Sequence, residues 1–372
     1  MKKKIISLVL ATVLAVGCLA GCGSSNTTSG KGYEIALITD KGNIDDKSFN
    51  QGSWEGVLAY TEKNNITHQY YKPEEASDEG YFNAIKLAVE GGAKVIVCPG
   101  YLFEAAVYSA QTQFPDVKFV LLDGEPHTPD YVTYETKSNT ACIMYAEEEA
   151  GYLAGYAAVV DGCTTLGFEG GMAVPAVVAF GYGYLQGIEA AATDLGLEDG
   201  SVKVFYHYTG DFAETDANKA VASAMAASGA QVIFGCGGSV GKSVFAATSE
   251  ANIKSIGVDV NQKADSDTVI TSAMKGLGAS VEAVLDSIYT DKFDIYAGKT
   301  TYFTAANDGV GLPDDFERFT TFDKATYDKV YATLADGTVD PIRSFEITDA
   351  AAVTAEQLQT ELGLKKVVVE IR

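Results

Sequence analysis

The stretch Gly237-Gly-Ser239-Val-Gly241 carries the residue types of three catalytic devices at once. Gly-x-Ser-x-Gly between an apolar run and a helical one is the pattern of a nucleophile elbow, which presents a serine hydroxyl on a tight strand-to-helix turn. A hydrolase of that kind places its acid and histidine after the serine, whereas His68, His127 and His207 all precede Ser239. Gly241-Lys242-Ser243 matches the end of a phosphate-cradling loop, but Cys236 stands where that loop needs its first glycine. Gly235-Cys-Gly237 begins a dinucleotide fingerprint that Val240 interrupts. All three devices fail. What remains is a turn at which a ligand can approach the backbone closely, which suits binding and requires no bond-making.

A second stretch, Asp40-Lys-Gly-Asn-Ile-Asp45-Asp46-Lys-Ser48-Phe49-Asn50-Gln51-Gly52, concentrates carboxylates and amides. It follows the apolar run 33–39 and precedes a helical spacing of Phe49, Trp54, Val57 and Leu58. It therefore reads as the first strand-to-helix turn of an α/β domain, where the carboxyl ends of strands open onto a ligand crevice. As a plain loop it would supply Ser48 as a helix N-cap. The consecutive acids Asp45-Asp46 and Glu147-Glu148-Glu149 read as solvated faces, since sequence neighbours on a helix point in different directions; Asp45 is the alternative brace for the loop. No spacing of cysteines, histidines or acids describes a metal site, and no cofactor is expected.

Such residues need a frame. Apolar β-branched runs at 33–40, 67–72, 94–100 and 118–124 read as strands, with helices at 48–64, 79–91 and 101–114 between them. A second set follows: helix 145–160, strand 164–168, helix 175–195, strand 202–208, helix 214–228, strand 231–235, helix 241–252 and strand 254–259. One more strand, 268–273, and helix, 278–290, precede a glycine- and proline-containing remainder. Alternation of this kind gives parallel sheets covered on both faces, here in two lobes. The stretch 123–130, with two prolines and a glycine, is the expected first crossover.

With 372 residues, 47% apolar and 21% charged, the chain can bury two cores. The formal charge of −23 makes nucleic acid a poor partner, because phosphate binding rests on basic patches. Lys2, Lys3 and Lys4 precede an apolar run from 5 to 19 that is short for a membrane span and reads as a signal peptide. It ends in Leu19-Ala20-Gly21-Cys22, which resembles the bacterial lipobox; that resemblance implies cleavage after residue 21 and acylation of Cys22. Residues 22–32 are a Gly/Ser/Thr tether. The chain is thus expected to be lipid-anchored on the extracytoplasmic face of the cell membrane. Cys98, Cys142, Cys163 and Cys236 form no Cys-x-x-Cys pair; disulfides remain open, with buried thiols the favoured state.

Asp-x-Gly-x-x-Asp-Asp-x-Ser-Phe-Asn-Gln from Asp40 resembles the opening signature of the basic membrane protein family of solute-binding lipoproteins, which includes purine nucleoside receptors of ABC transporters. Similar features recur at Leu121-Leu-Asp123-Gly, Gly181-Tyr-Gly-Tyr-Leu-Gln-Gly187, Tyr208-Thr-Gly210-Asp-Phe212, Gly257-Val-Asp259-Val-Asn-Gln262 and Ser272-Ala-Met-Lys275. Asn261 departs from the pattern, which often has an acid there. The resemblance implies a type I periplasmic-binding-protein fold, two doubly wound parallel-sheet lobes joined by a hinge that the chain crosses three times. The lobes are then expected to comprise 33–125 with 261–298, and 126–260 with 299–372. It also implies a ligand set of Asp40, Phe49, Asn50, Asp123, Phe212, Gly237, Gly238, Asp259 and Lys275. In that set Phe49 and Phe212 would flank a base, Asn50 and Asp123 read its edge, and Asp259 and Lys275 bind the ribose. The expected function is a monomeric, non-enzymatic nucleoside receptor, purine by preference, that serves an ABC permease. The alternatives are a receptor for a free sugar or another small polar metabolite, or a nucleoside-processing enzyme.

Overall fold

The computed structural model describes residues 32–372; the signal peptide, Cys22 and all of the tether except Gly32 lie outside the described residues. The first five strands are β1 (Ile35–Ile38), β2 (His68–Tyr71), β3 (Val95–Pro99), β4 (Lys118–Leu122) and β5 (Thr140–Tyr145), all largely buried except the edge strand β2. Helices α1 (Phe49–Asn64), α2 (Asp78–Glu90) and α3 (Glu104–Gln113) alternate with the first four. The second set begins with α4 (Glu147–Val160) and continues through β6 (Thr165–Gly170), α5 (Pro175–Asp194), β7 (Val202–Tyr208), α6 (Asp216–Ala227), β8 (Val232–Cys236) and α7 (Val240–Ala251). It closes with β9 (Lys254–Asp259) and β10 (Val269–Lys275). Then come α8 (Leu277–Tyr289), β11 (Lys299–Phe303), β12 (Val310–Gly311), α9 (Lys324–Ala335), α10 (Ala355–Glu361) and β13 (Val367–Ile371).

These strands make two sheets, ordered β11-β5-β4-β3-β1-β2 and β12-β10-β9-β8-β6-β7-β13. Every pairing is parallel except β10 with β12. Strands such as β3 and β8 are buried throughout, as parallel strands covered by helices on both faces must be. The architecture is the expected α/β fold of two doubly wound lobes.

Strand pairing moves three of the expected boundaries. The stretch 123–130 does not cross over. It belongs to a loop, closed by a His127–Tyr134 bridge, that returns the chain to β5 beside β4. Tyr145 therefore ends a strand, and the crossing falls at residues 145–147. β10 pairs with β9, so 269–275 lies in the second lobe. β11 pairs with β5, so 299–303 lies in the first. By sheet membership the first lobe is 33–145 with 277–303, and the remaining crossings fall at Gly276 and just after Phe303.

Glycines decide how the helices sit. A Cβ on Gly183 would lie 2.0 Å from the Glu148 carbonyl oxygen, and one on Gly187 the same distance from that of Tyr152. From α4, a Cβ on Gly151 or Gly155 would lie 2.2 Å from the Phe180 or Tyr184 carbonyl oxygen. The helices α4 and α5 thus touch backbone to backbone. The four cysteines of the described residues are buried free thiols. Among the described residues no helix is long and apolar enough to cross a membrane.

Candidate functional site

The carboxyl ends of β1, β3 and β4 face those of β8, β9 and β10 across a shared cavity. All nine residues named from the sequence line it: Asp40, Phe49, Asn50, Asp123, Phe212, Gly237, Gly238, Asp259 and Lys275. Asp123 and Asp259, at the ends of β4 and β9, have φ of +56° and +65°, a left-handed backbone that aspartate tolerates better than most residues.

The loop after β1 is organised by Asp46. Its Oδ1 accepts from the Ser48 and Gln51 N–H groups at 2.8 and 3.1 Å, and its Oδ2 from the Asn50 N–H at 3.0 Å. Asp46 thus does the capping expected of Ser48, because a carboxylate two residues earlier reaches three of the orphan donors of α1. Of the two consecutive acids expected to be solvated, Asp45 is exposed and does not act as the alternative brace, whereas Asp46 is buried and takes that part. Freed from capping, the Ser48 hydroxyl donates to Asp259 Oδ2 across the cleft. Gln262 makes a second bridge, donating from Nε2 to the Lys47 carbonyl at 2.8 Å. Asn50 donates from Nδ2 to Asp40 Oδ1 (2.8 Å) and Asp46 Oδ2 (2.9 Å), and its Oδ1 accepts from the Asp40 N–H (3.0 Å). Both amide donors are committed, so Asn50 holds Asp40 in place rather than offering a hydrogen to a ligand. Burial pushes the Asp40 carboxyl up to about 6, against the hydrogen bonds from Gly42 and Asn50.

Behind this loop lies a buried charge network. Lys275 Nζ donates to Asp123 Oδ2 at 2.5 Å and contacts Glu147 Oε1 at 2.9 Å. It also stands 4.8 Å from the centroid of the Phe49 ring and 5.4 Å from that of Phe180. Arg343 Nη2 contacts Glu147 Oε2 at 2.7 Å, while Nη1 donates to Glu148 Oε2 (2.7 Å) and to the Tyr145 carbonyl (2.6 Å). Burial works against the charge on Lys275, yet Asp123, Glu147 and Asp259 hold the ammonium above its ordinary value. Burial likewise opposes a charged Glu147, but Lys275 and Arg343 hold it below the usual range. Asp123 and Asp259 are both raised by burial, Lys275 opposing. Asp123 Oδ1 is buried with no hydrogen-bond partner among the described residues.

The run Glu147-Glu148-Glu149 is therefore not a solvated face. Glu147 and Glu148 pair with cations, and Glu149 Oε2 accepts from the Ala305 N–H at 2.6 Å. Sequence reasoning also missed Tyr101, Met144, Phe180, Arg343 and the first turn of α5 as parts of the lining. Only the position of Tyr101 just after a strand could have marked one of them.

The glycine-rich turn makes room for Phe212. A Cβ on Gly237 (φ +133°) would lie 3.1 Å from its ring, and one on Gly171 would lie 2.5 Å away. The Ser239 N–H donates to the Phe212 carbonyl at 3.0 Å, which fixes the ring-bearing loop on the turn. Ser239 lines the cavity but has no histidine near it; His127 contacts Glu104, His207 the Arg372 carbonyl, and His68 the Trp54 ring. Among the described residues no cluster of histidine, cysteine and acid could hold a metal ion.

Comparison with known proteins identifies the family. The chain is 30% identical over 340 residues to the "ABC transporter nucleoside-binding protein BmpA" of Lactococcus lactis subsp. cremoris, covering 84% of this chain and 92% of that one. It is 27% identical over 371 residues to the "CD4+ T-cell-stimulating antigen" of Listeria monocytogenes, covering 91% and 98%. An ABC transporter solute-binding protein from Aeropyrum pernix shares the fold, with a TM-score of 0.74 at 20% identity over 88% of this chain and 98% of that one. A family model described as "ABC transporter substrate-binding protein PnrA-like" matches residues 34–336. The chain belongs to that family of extracytoplasmic substrate-binding proteins, which are solute receptors rather than enzymes.

Proposed function

We propose that this substrate-binding protein captures a nucleoside, purine by preference, between its lobes and presents it to an ABC permease, held as a monomer at the membrane by lipid on Cys22. The observation that carries the reading is the buried, unpartnered Asp123 Oδ1 in a cavity that Phe49 and Phe212 also line. A buried carboxylate oxygen without a donor is costly, and a ligand N–H supplies one. A nucleobase offers N–H groups in the plane of a ring whose faces suit phenylalanine. Its ribose diol offers two O–H donors, which suit Asp259. The name of the Lactococcus relative, a nucleoside-binding protein, supports a nucleoside as the ligand class. The mechanism is hinge closure about the three crossings, with Ser48–Asp259 and Gln262–Lys47 as bridges of the closed form.

A thermal-shift series with nucleosides, free bases and hexoses tests this reading, because a ligand that binds only the native state raises the melting temperature. Purine nucleosides should give the largest shifts. Stabilisation by a hexose and not by nucleosides would transfer the site to a sugar.

A further inference from the structure

Arg343 reaches the site from outside the stretch that defines the family. The family match ends at residue 336, and Arg343 sits in the irregular segment between α9 and α10. That segment is pinned to α5 on both sides of the arginine. Gln186 exchanges two hydrogen bonds with the Ile342 backbone, at 2.9 and 2.8 Å, and Phe345 stacks on Tyr182 at 4.8 Å between centroids and 4° between planes. The guanidinium is therefore delivered by a braced element, and its fork spans Glu147, Glu148 and the Tyr145 carbonyl at the first crossing.

Glu147 is the reason this matters. Its side chain is 0% exposed, and each of its oxygens faces one cation, Lys275 on Oε1 and Arg343 on Oε2. Lys275 must also serve Asp123, and Asp259 adds a third negative charge to its surroundings. A buried carboxylate deprived of one counter-ion either takes a proton or draws the other cation towards itself. Either response changes what Lys275 offers to Asp123.

We propose that Arg343 is a positioning residue for the ligand site: by acting as the dedicated counter-ion of Glu147 it leaves the Lys275 ammonium to Asp123 and so orients the Asp123 carboxylate, with Oδ1 left for the ligand. This rests on the reading of the cavity as the ligand site. The charged groups that face Glu147 are Lys275 from β10, Arg343 from the terminal segment, Asp123 from β4, Asp259 from β9 and the adjoining Glu148, with the neutral Tyr145 hydroxyl and Cys236 thiol as the other titratable neighbours. With Arg343 present Glu147 stays charged; without it, protonation of Glu147 moves towards neutral pH and ligand affinity acquires a matching pH dependence.

The test has one arm without ligand and one with it. Carbon-13 carboxyl NMR, with Glu147→Gln assigning the resonance, follows Glu147 against pH in wild type and Arg343→Gln. The variant's midpoint should climb by about 1–3 units. In calorimetric titration with the nucleoside that stabilises wild type most, Arg343→Gln should bind about tenfold or more weakly, which is at least about 1.4 kcal/mol. The double variant Glu147→Gln/Arg343→Gln should recover most of that loss, because the uncompensated charge is gone; a purely structural arginine would not be rescued in this way. An unshifted Glu147 midpoint, or a double variant no better than the single one, overturns the proposal. Where Arg343→Gln alone fails to fold, a folded and binding double variant supports the role, and one that also fails overturns it. If wild type binds no nucleoside, the nucleoside reading falls while the Glu147 titration still decides the part played by Arg343.

Discussion

Asp123 and Lys275 meet at 2.5 Å although they end strands of different sheets, β4 in the first lobe and β10 in the second. The pair exists only while those strand ends are together, and its carboxylate keeps one buried oxygen without a partner among the described residues. Under the proposed hinge closure, the acceptor in the cavity would be assembled by the same approach of the lobes that encloses the ligand.

Asp259 should discriminate by sugar. Removing a hydrogen bond to a charged group costs about 1.5–3 kcal/mol, or roughly 10- to 150-fold in affinity. A 2′-deoxynucleoside should bind wild type more weakly by that factor, and Asp259→Ala should lose the difference. Phe49→Ala should weaken both ligands alike, since stacking is blind to the sugar. Calorimetric titration of both ligands against the three proteins checks this; equal wild-type affinity for ribo and deoxy forms would remove Asp259 from the sugar.

Glu169 should make the protein less stable as pH rises. It lies inside β6 with both carboxyl oxygens buried and without a hydrogen-bond partner among the described residues, and burial pushes it up to about 8. The native state therefore keeps a proton that the unfolded state releases near pH 4.5, so stability falls from there to about pH 8 and is level outside that window. The full effect is on the order of 4–5 kcal/mol. Urea unfolding of Glu169→Gln should lack this slope and should exceed wild-type stability at pH 9; parallel profiles would show that Glu169 has a partner in solution.

Gly187→Ala should destabilise strongly. The new methyl would meet the Tyr152 carbonyl oxygen at 2.0 Å, and α4 and α5 can relieve it only by separating, at a cost of about 1–3 kcal/mol or more. Gly196→Ala, where nothing lies within 4 Å but φ is +66°, isolates backbone strain without a clash and should cost less. Melting temperatures of the two variants make the comparison. The reverse order would mean that the helices part easily.

Cys22→Ser should release the protein from the membrane fraction, because the substitution removes the proposed acyl attachment point. Fractionation of cells followed by immunoblotting decides it, and unchanged membrane association would refute the lipid anchor.

Much of the frame was legible from hydrophobic period alone. The runs 202–208 and 254–259 coincide with β7 and β9, and residues at strand ends, such as Asp123 just after β4 and Asp259 closing β9, fall in the cavity. The failures share a cause. β5 hides as an apolar run merging into α4, and its identity depends on pairing with both β4 and β11, the latter far away in sequence. Glu147 reads as solvated until two cations, from positions 275 and 343, are seen to cover it. Asn50 has the chemistry of a ligand contact, but its hydrogens go to Asp40 and Asp46, and composition cannot show how an amide spends its donors.

The late return of the chain to its first sheet also sets an order of construction. β11 completes an edge of that sheet, and α8, brought against α1 where Gly56 and Gly278 meet, supplies part of its cover. Both emerge from the ribosome only after the whole of β6 to β10 has been made. A growing chain therefore carries an unfinished amino-terminal half through most of its synthesis, with the face of α1 uncovered. Any factor that must engage this polypeptide before it folds has that interval in which to do so.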